Sequence, residues 1–324
     1  MKTAAVIIVT WNSWALLARC LEALSAQTYR DFSITIIDNA SSDEMQLQLL
    51  AAYPQAKLVR NIANLGFAAA NNLAVSKYTG NSEWIALINP DAFAEPHWLE
   101  ALLAGAKSNP GFDMFGSKLL NATDPLILDG AGDAYHLSGR VWREGGGFPV
   151  SAVTENEHEI FTPCAAAALY RRSALLEVGG FDEDYFCYLE DVDLGFRLRL
   201  AGHKAMYVPD AVVHHVGSAT TGGQHSNFSV YHGHRNQVWT FVKNMPGFLF
   251  WLLLPIHVAL NLVSIVWFSL RGQGRVILRA KRDALFGLPN MWRKRQQIQK
   301  ARVASIGDIW RVLDKRLLPT RSKT

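Results

Sequence analysis

Residues 4–10 read AAVIIVT, a continuous run of apolar and β-branched side chains. Such a run is typical of a strand that is buried on both faces of a sheet. Shortly after it, Ser13 can cap a helix in which apolar side chains recur at helical spacing from Leu16 to Leu24. A strand followed at once by a helix predicts the opening unit of an α/β domain.

The strand-like pattern returns further along the chain, with helical segments between the strand candidates. These candidates are Phe32–Ile37, Lys57–Val59 and Trp84–Ile88. The alternation predicts an α/β fold with a mainly parallel central sheet, and such sheets bind ligands beyond the carboxyl ends of their strands. Thr10, Asp38 and Asp91 stand at or just after strand ends, so we expect them to lie at that edge.

The composition is that of a folded protein made in a reducing compartment. The chain has 324 residues, of which 49% are hydrophobic, enough to fill a sizeable core. Cys20, Cys164 and Cys187 are odd in number, far apart and without zinc-ligand spacing. The opening MKTAAVIIVTW has a short apolar run and no small-residue cleavage pattern, which favours a buried strand over a secretory signal. We expect this part of the chain to stay in the cytoplasm.

Charge is distributed unevenly along the chain. Residues 271–324 contain 15 Lys or Arg and 3 Asp or Glu, a net charge of +12. Because the whole chain carries +4, residues 1–270 carry −8. The acidic body argues against nucleic acid as a partner, and a basic tail behind an apolar stretch favours an anionic membrane surface.

The stretch Gly180–His215 crowds carboxylates among apolar residues. They are Asp182, Glu183, Asp184, Glu190, Asp191, Asp193 and Asp210. We expect the first three to form a solvated turn. Aromatic and apolar neighbours of Glu190 and Asp191 predict a partly desolvated site, where the pKa of a carboxyl rises toward the range of a general base. Gly202 and a basic last turn predict a helix here, although alternating apolar residues at 192–200 also fit a strand.

Two segments have the composition of loops. Asp129–Pro149 is rich in glycine and predicts a mobile hairpin or loop. Gly217–Ser229 is dense in Gly, Ser and Thr, a composition that suits a lid. Between them, Phe161–Tyr170 is predicted to be buried.

Three strand-end features could together bind a nucleotide diphosphate. Asp38 can accept the imide N–H of uracil or thymine, Asn64-Leu65-Gly66 can form a tight turn into a helix, and Asp91 can hold a divalent cation. Each feature alone is also common as a cap or a turn. The first strand is not followed by GxGxxG, and GxxxxGK[ST] occurs nowhere, which excludes two other nucleotide-binding motifs.

Six motifs, in their order along the chain, resemble those of family 2 glycosyltransferases. They read VIIVTWN, IIDNASSD, NIANLGFAAANN, INPDA, GGFDEDYFCYLEDVDLGFRLRLAG and VPDAVVHHVGSA. The resemblance covers about residues 4–245 and is greatest to the rhamnosyltransferase-like branch. It implies a GT-A fold and an inverting sugar transferase.

The resemblance also implies roles for individual residues. Those that would bind the donor nucleotide are Thr10, Asn12, Asp38, Asn64, Gly66 and Asn89. Asp91 and His215 would hold a divalent metal, Mg²⁺ or Mn²⁺. Asp191 would be the catalytic base, and Glu190 would orient its neighbours.

Two positions leave the metal site open to alternatives. Asn89 stands where a DxD pattern has its first acid, so one negative charge near the cation is missing. His214 remains an alternative to His215, because neighbouring residues of a strand point to opposite faces of the sheet.

The implied reaction is a single displacement with inversion at the anomeric carbon, with a lipid-linked saccharide as acceptor. The resemblance implies dTDP-L-rhamnose as donor, but thymine and uracil present the same imide edge, so a UDP-sugar remains an alternative. A sugar-nucleotide pyrophosphorylase would need a Gly-rich, Arg-containing loop where this chain has TWNSWA. A glycan-binding scaffold would not need the acidic residues and the histidine together.

The sequence predicts a catalytic domain at 1–230 and membrane-associated helices with a basic tail at 231–324. Gly247–Leu270 has 24 residues and no charge, and as a helix it would reach roughly 36 Å, enough to cross a bilayer core of about 30 Å. A single crossing would place the basic tail outside, against the positive-inside rule, because nucleotide sugars are cytoplasmic. Pro255 also interrupts the segment.

We therefore expect a re-entrant or interfacial element at the cytoplasmic face of the inner (plasma) membrane. Trp292 and Trp310 stand among Arg and Lys, which predicts that the tail contacts anionic headgroups. A buried helix of a soluble protein is the alternative interpretation of the apolar stretch.

Overall fold

A computed structural model describes residues 2–42, 51–152, 155–217, 223 and 225–316. The strands of its central sheet are β1 (Ala4–Thr10), β2 (Phe32–Asp38), β3 (Ala56–Arg60), β4 (Trp84–Ile88), β5 (Ala92–Ala94), β6 (Met114–Asn121), β7 (Leu128–Gly130), β10 (His158–Ile160), β11 (Ala167–Arg171) and β12 (Ala205–His215). A separate hairpin is formed by β8 (Asp133–Tyr135) and β9 (Val141–Arg143).

The strands lie side by side in the order β10, β12, β6, β11, β4, β1, β2 and β3, with β5 beside β12 and β7 beside β6. The parallel pairs are β1 with β2, β1 with β4, β2 with β3, and β6 with β12. Strand β11 runs antiparallel between β4 and β6. The prediction of an α/β fold with a mainly parallel sheet is confirmed. Thr10 and Asp38 are direct partners at the carboxyl ends of β1 and β2.

The helices are α1 (Trp14–Ser25), α2 (Gly66–Lys77), α3 (Trp98–Ser108), α4 (Arg172–Glu177), α5 (Glu190–Leu200), α6 (Asn227–Asn244), α7 (Gly247–Leu270), α8 (Gly274–Lys300) and α9 (Ile306–Val312). Helices α1 and α3 bury Leu17 and Leu102 in an apolar cluster on one face of the sheet. Helices α2 and α5 bury Ala70 and Leu198 in a second cluster on the other face. The sheet is therefore covered on both faces, as a mainly parallel sheet requires.

Local predictions for α1 and α5 have different outcomes. Residues 190–200 form a helix and not a strand, and Gly202 follows it with φ of +101°, a conformation that glycine adopts without a steric penalty. Ser13 does precede α1, but its hydroxyl lies 2.9 Å from the Thr10 hydroxyl and makes no capping hydrogen bond. The helix was predicted correctly, and the capping role of Ser13 was wrong.

The predictions for the two loop-like segments also have different outcomes. Asp129–Pro149 contains β8, β9 and part of β7, so the predicted hairpin is present and it packs beside the sheet. Residues 161–170 are buried, as predicted. Six of the 13 residues of the predicted lid at Gly217–Ser229, namely 218–222 and 224, lie outside the described residues. At its end, Ser226 caps α6 by accepting a hydrogen bond from Ser229 N at 3.1 Å.

The prediction of a solvated turn at residues 182–184 is wrong for Asp182. Its side chain is 8% exposed and forms ion pairs with Lys243 of α6 and Lys294 of α8. Lys243 is fully buried and also pairs with Asp193 of α5 at 2.7 Å. Buried charges need partners of this kind, and the sequence alone does not show that two distant helices supply them.

A third apolar cluster joins the sheet domain to the C-terminal helices. It contains Tyr135 and Phe196 from the first part of the chain together with Trp239, Met245 and Met291 from α6 and α8. Helices α6, α8 and α9 are thus packed on the same body as the sheet, around the helix that carries Asp191.

Helices α7 and α8 form an antiparallel hairpin. Phe250 lies beside Trp292 at a ring distance of 5.8 Å, and Asn261 Oδ1 accepts a hydrogen bond from Lys281 at 2.5 Å. Helix α7 continues through Pro255, so the expected interruption there is wrong. Within the described residues, α7 is the one helix long and apolar enough to cross a bilayer, and 28% of its most apolar window is buried.

Candidate active site

The first group of predicted residues forms a connected corner beyond β1 and β2. The Asp38 Oδ1 atom accepts hydrogen bonds from Ser41 N at 3.0 Å and Ser41 Oγ at 2.5 Å. Ser41 Oγ in turn accepts from Asn12 N at 2.8 Å, and Asn12 adopts φ of 49°. Thr10 is buried beside Ser13. The loops after β1 and β2 therefore support one another at the sheet edge.

The second oxygen of Asp38 is available for a ligand. Asp38 is fully buried, and its Oδ2 atom has no hydrogen-bond partner among the described residues. The Nε atom of Arg60 lies 3.4 Å from this oxygen. A buried carboxylate oxygen without a donor suits an N–H group brought by a ligand, such as the imide of a pyrimidine.

Asn64 and Gly66 form the turn that the sequence predicts. Asn64 Oδ1 accepts a hydrogen bond from Gly66 N at 2.9 Å, where α2 begins. Gly66 has φ of +81°, and a Cβ atom here would lie 2.6 Å from the backbone oxygen of Phe186. Asn39 Nδ2 donates to Gly66 O at 3.1 Å, which ties this turn to the loop after β2. Only glycine fits both the backbone conformation and the close approach of Phe186.

The predicted metal residues face each other across the end of the sheet. His215 ends β12 and is 3% exposed, and its Nε2 atom lies 3.4 Å from Asp91 Oδ1. That nitrogen is buried and makes no well-aligned hydrogen bond within the described part of the chain. Its Nδ1 atom lies 2.7 Å from Asp129 Oδ2. Burial lowers the pKa of His215, but the carboxylates of Asp129 and Asp91 outweigh it and raise the pKa.

This arrangement fits a divalent cation. A metal-binding histidine usually donates its other ring N–H to a carboxylate, which fixes its tautomer and orientation. Asp129 is placed to accept that hydrogen from His215, and Asp91 supplies the oxygen that Mg²⁺ or Mn²⁺ prefers. His214 points elsewhere, since its Nε2 atom lies 3.2 Å from Glu95. The geometry therefore supports His215 over His214.

Asn89 is held by the backbone beside these residues. Its N–H donates to Ala166 O at 2.9 Å, and its C=O accepts from Ala92 N at 3.1 Å. These bonds bend the chain sharply between β4 and β5, so that Asp91 comes to face His215.

Asp191 and Glu190 open α5. Asp191 Oδ1 accepts from Val192 N at 2.8 Å and Oδ2 accepts from Ala165 N at 3.1 Å, while its side chain stays partly exposed. Glu190 is buried, and both burial and the neighbouring Asp191 charge raise its pKa well above the usual range. Burial thus favours the protonated form of Glu190, and Asp191 is the one of the two acidic side chains that reaches solvent.

The loop before α5 is held in an unusual backbone conformation. Phe186, Tyr188 and Leu189 all have φ between 63° and 66°. Residues other than glycine adopt such angles at a cost of about 1–3 kcal/mol each, and strain of this kind clusters at functional sites. Asn236 of α6 is fully buried, and its Nδ2 atom lies 2.7–3.1 Å from the backbone oxygens of residues 185, 187 and 188. An amide from a C-terminal helix thus stabilises the loop that presents Asp191.

Sequence reasoning missed a second acidic side chain beside Asp191. Asp133 is 5% exposed, and its carboxylate, the Cys164 sulfur and the Asp191 carboxylate lie within 4.8 Å of one another. Burial and the Asp191 charge raise the pKa of Asp133 to about 8, so it is mostly protonated at neutral pH. Burial also raises the pKa of Cys164, which keeps its sulfur a neutral thiol. A neutral thiol and a protonated acid make this group a weaker cation site than Asp91 with His215.

Arg143 joins the two halves of the site. It forms an ion pair with Asp129, the partner of His215, and its Nε atom lies 3.9 Å from Asp133. The side chains therefore form a continuous series from Asp91 to Asp191. Asp129, Asp133 and Arg143 all come from the segment that the sequence predicts only as a glycine-rich loop. The one feature of this segment that could have indicated a functional role is the presence of acidic and basic residues among its glycines.

Comparison with known sequences places this geometry in context. Residues 5–179 match the family model of glycosyl transferase family 2. The chain is 31% identical over 248 residues to the N-acetylglucosaminyl-diphospho-decaprenol L-rhamnosyltransferase of Mycobacterium tuberculosis, an alignment that covers 70% of this chain and 80% of that protein.

Solved structures share the fold at low sequence identity. The Pyrobaculum calidifontis mannosyltransferase PcManGT, in complex with GDP-Man and Mn²⁺, superposes with a TM-score of 0.55 at 16% identity and covers 96% of this chain and 88% of its own. The structure of GalNAc-T7 with UDP, GalNAc and Mn²⁺ gives a TM-score of 0.60 at 17% identity, over 75% of this chain and 48% of that chain. These similarities establish a GT-A fold.

Proposed function

The chain belongs to glycosyl transferase family 2, and from this premise we propose that it is an inverting transferase that moves L-rhamnose from dTDP-L-rhamnose to a lipid-linked saccharide. The observation that carries the proposal is the continuous series of side chains from Asp91 to Asp191 along one edge of the sheet. This series would bring a cation-binding pair and an acidic side chain to the same edge of the sheet, as a transfer reaction requires.

The donor nucleotide would bind at the corner formed by the loops after β1 and β2. The Oδ2 atom of Asp38, which has no hydrogen-bond partner among the described residues, would accept the imide N–H of thymine. Gly66, with no side chain, lets the start of α2 pack closely against Phe186, which holds the turn at Asn64 to Gly66 beside this corner. The likeness to a rhamnosyltransferase over most of its length supports rhamnose as the sugar.

In the transfer step, Asp191 would take the proton of an acceptor hydroxyl. The oxygen of that hydroxyl forms a bond to the anomeric carbon while the bond from that carbon to the diphosphate oxygen breaks. The nucleotide diphosphate leaves with the electron pair, and the configuration at the anomeric carbon is inverted. Burial and the charge of Asp191 raise the pKa of Asp133 to about 8 and also raise the pKa of Glu190, so both neighbours favour their protonated forms while Asp191 would act as the base.

Asp91 and His215 would hold the metal, with Asp129 fixing the histidine tautomer. When bound, a divalent cation offsets negative charge on the diphosphate of the donor. Among the described residues, Asp91 and His215 are the two protein ligands that face this position, which suits Mg²⁺ or Mn²⁺ because these ions take further ligands from phosphates and water.

The acceptor would be reached at the membrane surface. The outward face of α7 exposes large apolar side chains, among them Trp251, Leu262 and Trp267, which are 65%, 60% and 53% exposed. Two of its polar side chains, His257 and Asn261, face inward, since His257 Nδ1 lies 2.7 Å from Ser138 O and Asn261 contacts α8. A helix held along its length on the catalytic body suits an interfacial position rather than a crossing. We propose that residues 231–324 keep the protein peripheral on the cytoplasmic face.

A transfer assay with the purified full chain tests this function. dTDP-L-rhamnose, Mn²⁺ or Mg²⁺ and a synthetic N-acetylglucosaminyl-diphospho-polyprenol are incubated with the protein, and dTDP release and the glycolipid product are measured. We expect dTDP release that depends on acceptor and metal, and a product whose anomeric configuration, measured by NMR, is opposite to that of the donor.

The same assay separates the alternatives. Product formed only from a UDP-sugar would overturn the donor assignment and keep the transferase assignment. Binding of a glycan without release of nucleotide diphosphate from any donor would support a scaffold and contradict an enzyme. A product with retained configuration would remove Asp191 from its proposed role as base.

A further inference from the structure

A cavity of about 320 Å³ lies away from the series of side chains that forms the candidate active site, where the start of α7 meets the last turns of α8. It is lined by Gly247, Trp292, Arg295, Gln296, Gln299 and Arg302. No Asp or Glu lines it, so its charged groups are the two guanidinium groups alone.

Arg295 is the unusual feature of this cavity. Its side chain is 8% exposed, and its Nη1 atom donates to the backbone oxygens of Val242 and Met245 at 2.9 and 2.5 Å. Its guanidinium carbon also lies 4.5 Å from the ring centre of Phe250 and 5.5 Å from that of Trp292. Burial lowers the pKa of Arg295 to about 10, so Arg295 keeps its charge at neutral pH. Carbonyl oxygens and aromatic rings face this buried charge, and among the described residues it forms no ion pair with a carboxylate, so a bound anion would be its first charged partner.

Arg302 adds a second charge on the other side of the cavity. Its Nη1 atom donates to Ala304 O at 2.6 Å, but its buried Nε atom has no hydrogen-bond partner among the described residues. Gln299, which also lines the cavity, donates from Nε2 to Asn244 O at 3.1 Å. Two guanidinium groups with unfilled hydrogen-bonding capacity suit an anion that accepts several bonds at once.

Helix α7 contributes to the same site. It begins at Gly247 after Pro246, has no acidic residue in its first turn and has no side-chain cap. The free N–H groups and the dipole at the start of a 24-residue helix favour a negative charge. Together with Arg295 and Arg302 they form a built site for a phosphate group.

The surroundings indicate where the phosphate comes from. Phe248, Trp251 and Leu252, directly after Gly247, are 61%, 65% and 58% exposed. Trp292 lines the cavity and is itself 40% exposed. The site is thus bordered by the apolar face that we assign to the membrane surface, at the depth where headgroups and acyl chains meet.

We propose that this cavity binds the phosphate of an anionic membrane phospholipid, with Arg295 and Arg302 as its ligands. The proposal rests on the proposed membrane position of α7 and does not depend on the identity of the donor sugar. A phospholipid held here would fix the orientation of the α7–α8 hairpin on the bilayer. Because Arg295 donates to the backbone of Val242 and Met245, the phospholipid would also fix the orientation of α6.

Vesicle flotation of the purified full chain tests the site. The vesicles contain phosphatidylcholine alone or phosphatidylcholine with phosphatidylglycerol. Arg302→Gln is compared with Arg293→Gln, which removes the same charge from an exposed position of α8 outside the cavity. We expect Arg302→Gln to weaken binding to the anionic vesicles at least about fivefold and Arg293→Gln to weaken it less than about twofold.

A second pair of variants avoids loss of a buried side chain. Gln296→Glu places a carboxylate in the cavity, where it can occupy the guanidinium groups, and Gln297→Glu places the same charge on a neighbouring exposed position. We expect only Gln296→Glu to reduce binding to anionic vesicles. Circular dichroism of each variant checks that it is folded.

The outcomes discriminate between sources of the phosphate and test membrane binding separately. Equal losses within each pair of variants would overturn a specific site. Thermal stabilisation of the wild type by soluble glycerol phosphate, lost in Arg302→Gln and unaccompanied by a change in vesicle binding, would overturn the lipid assignment. Binding of the wild type and of every variant to anionic vesicles with the same strength as to neutral vesicles would preserve the proposed membrane position and contradict the phosphate site.

Discussion

The Nδ1 atom of His215 lies 2.7 Å from Asp129 Oδ2, and this contact directs the opposite nitrogen of the ring at Asp91. Asp129 is 86 residues away in sequence and belongs to a segment with no recognisable motif. The histidine that the sequence suggests as a metal ligand therefore depends on a carboxylate that the sequence does not suggest.

Replacing each of the two neighbouring histidines separates their roles. We expect His215→Gln to raise the Mn²⁺ concentration needed for half-maximal activity by about 10- to 100-fold, because ligand and oriented tautomer are both lost. His214→Gln should change it less than about twofold, since that ring faces Glu95. A manganese titration of transfer activity measures both. The reverse order would assign the metal to His214.

Asp191→Asn should abolish transfer while donor binding is retained. The amide keeps the size of the side chain but cannot accept the proton, a loss of about 10²- to 10⁴-fold in kcat. The dissociation constant of the donor, measured by calorimetry, should stay within about twofold of the wild-type value because the substitution does not touch the nucleotide corner. Asp210→Asn, at an exposed position of β12, is the matched control with normal kcat. Near-normal turnover by Asp191→Asn would contradict its assignment as base.

Gly66→Ala tests the close approach between α2 and the loop before α5. Both Gly66 and Gly80 have positive φ, at 81° and 57°, but a Cβ atom at Gly66 meets the Phe186 backbone at 2.6 Å, whereas Gly80 faces open space. We expect Gly66→Ala to lower the free energy of unfolding by about 1–3 kcal/mol more than Gly80→Ala does. Urea unfolding measures the difference. Equal losses would show that backbone strain alone matters and that Phe186 gives way.

Lys243→Met tests the buried ion pairs that join α6 to the catalytic part. Removing the ammonium group leaves Asp182 and Asp193 with one fewer partner in a buried position, which should cost about 3–5 kcal/mol of unfolding free energy. Lys107→Met, at an exposed position of α3, should stay within about 0.5 kcal/mol. Chemical denaturation compares the two. A small loss for Lys243→Met would mean that its pairs contribute no more than a hydrophobic replacement.

His203 should make stability depend on pH. Its Nδ1 atom lies 2.6 Å from Asp113, and its Nε2 atom lies 3.1 Å from Glu177. These two carboxylates raise the pKa of His203, although partial burial acts to lower it. Arg171 also forms an ion pair with Asp113. A histidine whose pKa is higher in the folded state stabilises below its unfolded pKa, and this contribution is lost as pH rises through the folded pKa.

His203→Gln should therefore lower the free energy of unfolding at pH 5.5 by on the order of 1 kcal/mol and have a smaller effect at pH 8.5. Urea unfolding of wild type and variant at both pH values measures this difference. An effect that is the same at both values, or larger at pH 8.5, would contradict a charged His203 in the folded protein.

The sequence determined the elements whose pattern is local. The apolar run at residues 4–10, the strand ending at Asp38 and the turn at Asn64 to Gly66 lie where they were predicted, because each depends on a few neighbouring residues. The family resemblance is confirmed by the match over residues 5–179. The predicted interruption at Pro255 was wrong, and α7 continues through this residue. Packing of α7 against α6 and α8 offsets the backbone hydrogen bond that proline cannot make.

Only the tertiary structure decided which distant side chains meet. Asp129, Asp133 and Arg143 come from a glycine-rich hairpin, and no local pattern shows that this hairpin packs beside His215 and Asp191. The sequence predicts that Asp182 is solvated, yet its side chain is buried and forms ion pairs with Lys243 and Lys294. These two lysines belong to helices beyond the predicted catalytic domain. Such contacts depend on how whole elements pack, and the free energy that selects them arises from burial and charge pairing between residues far apart in the chain.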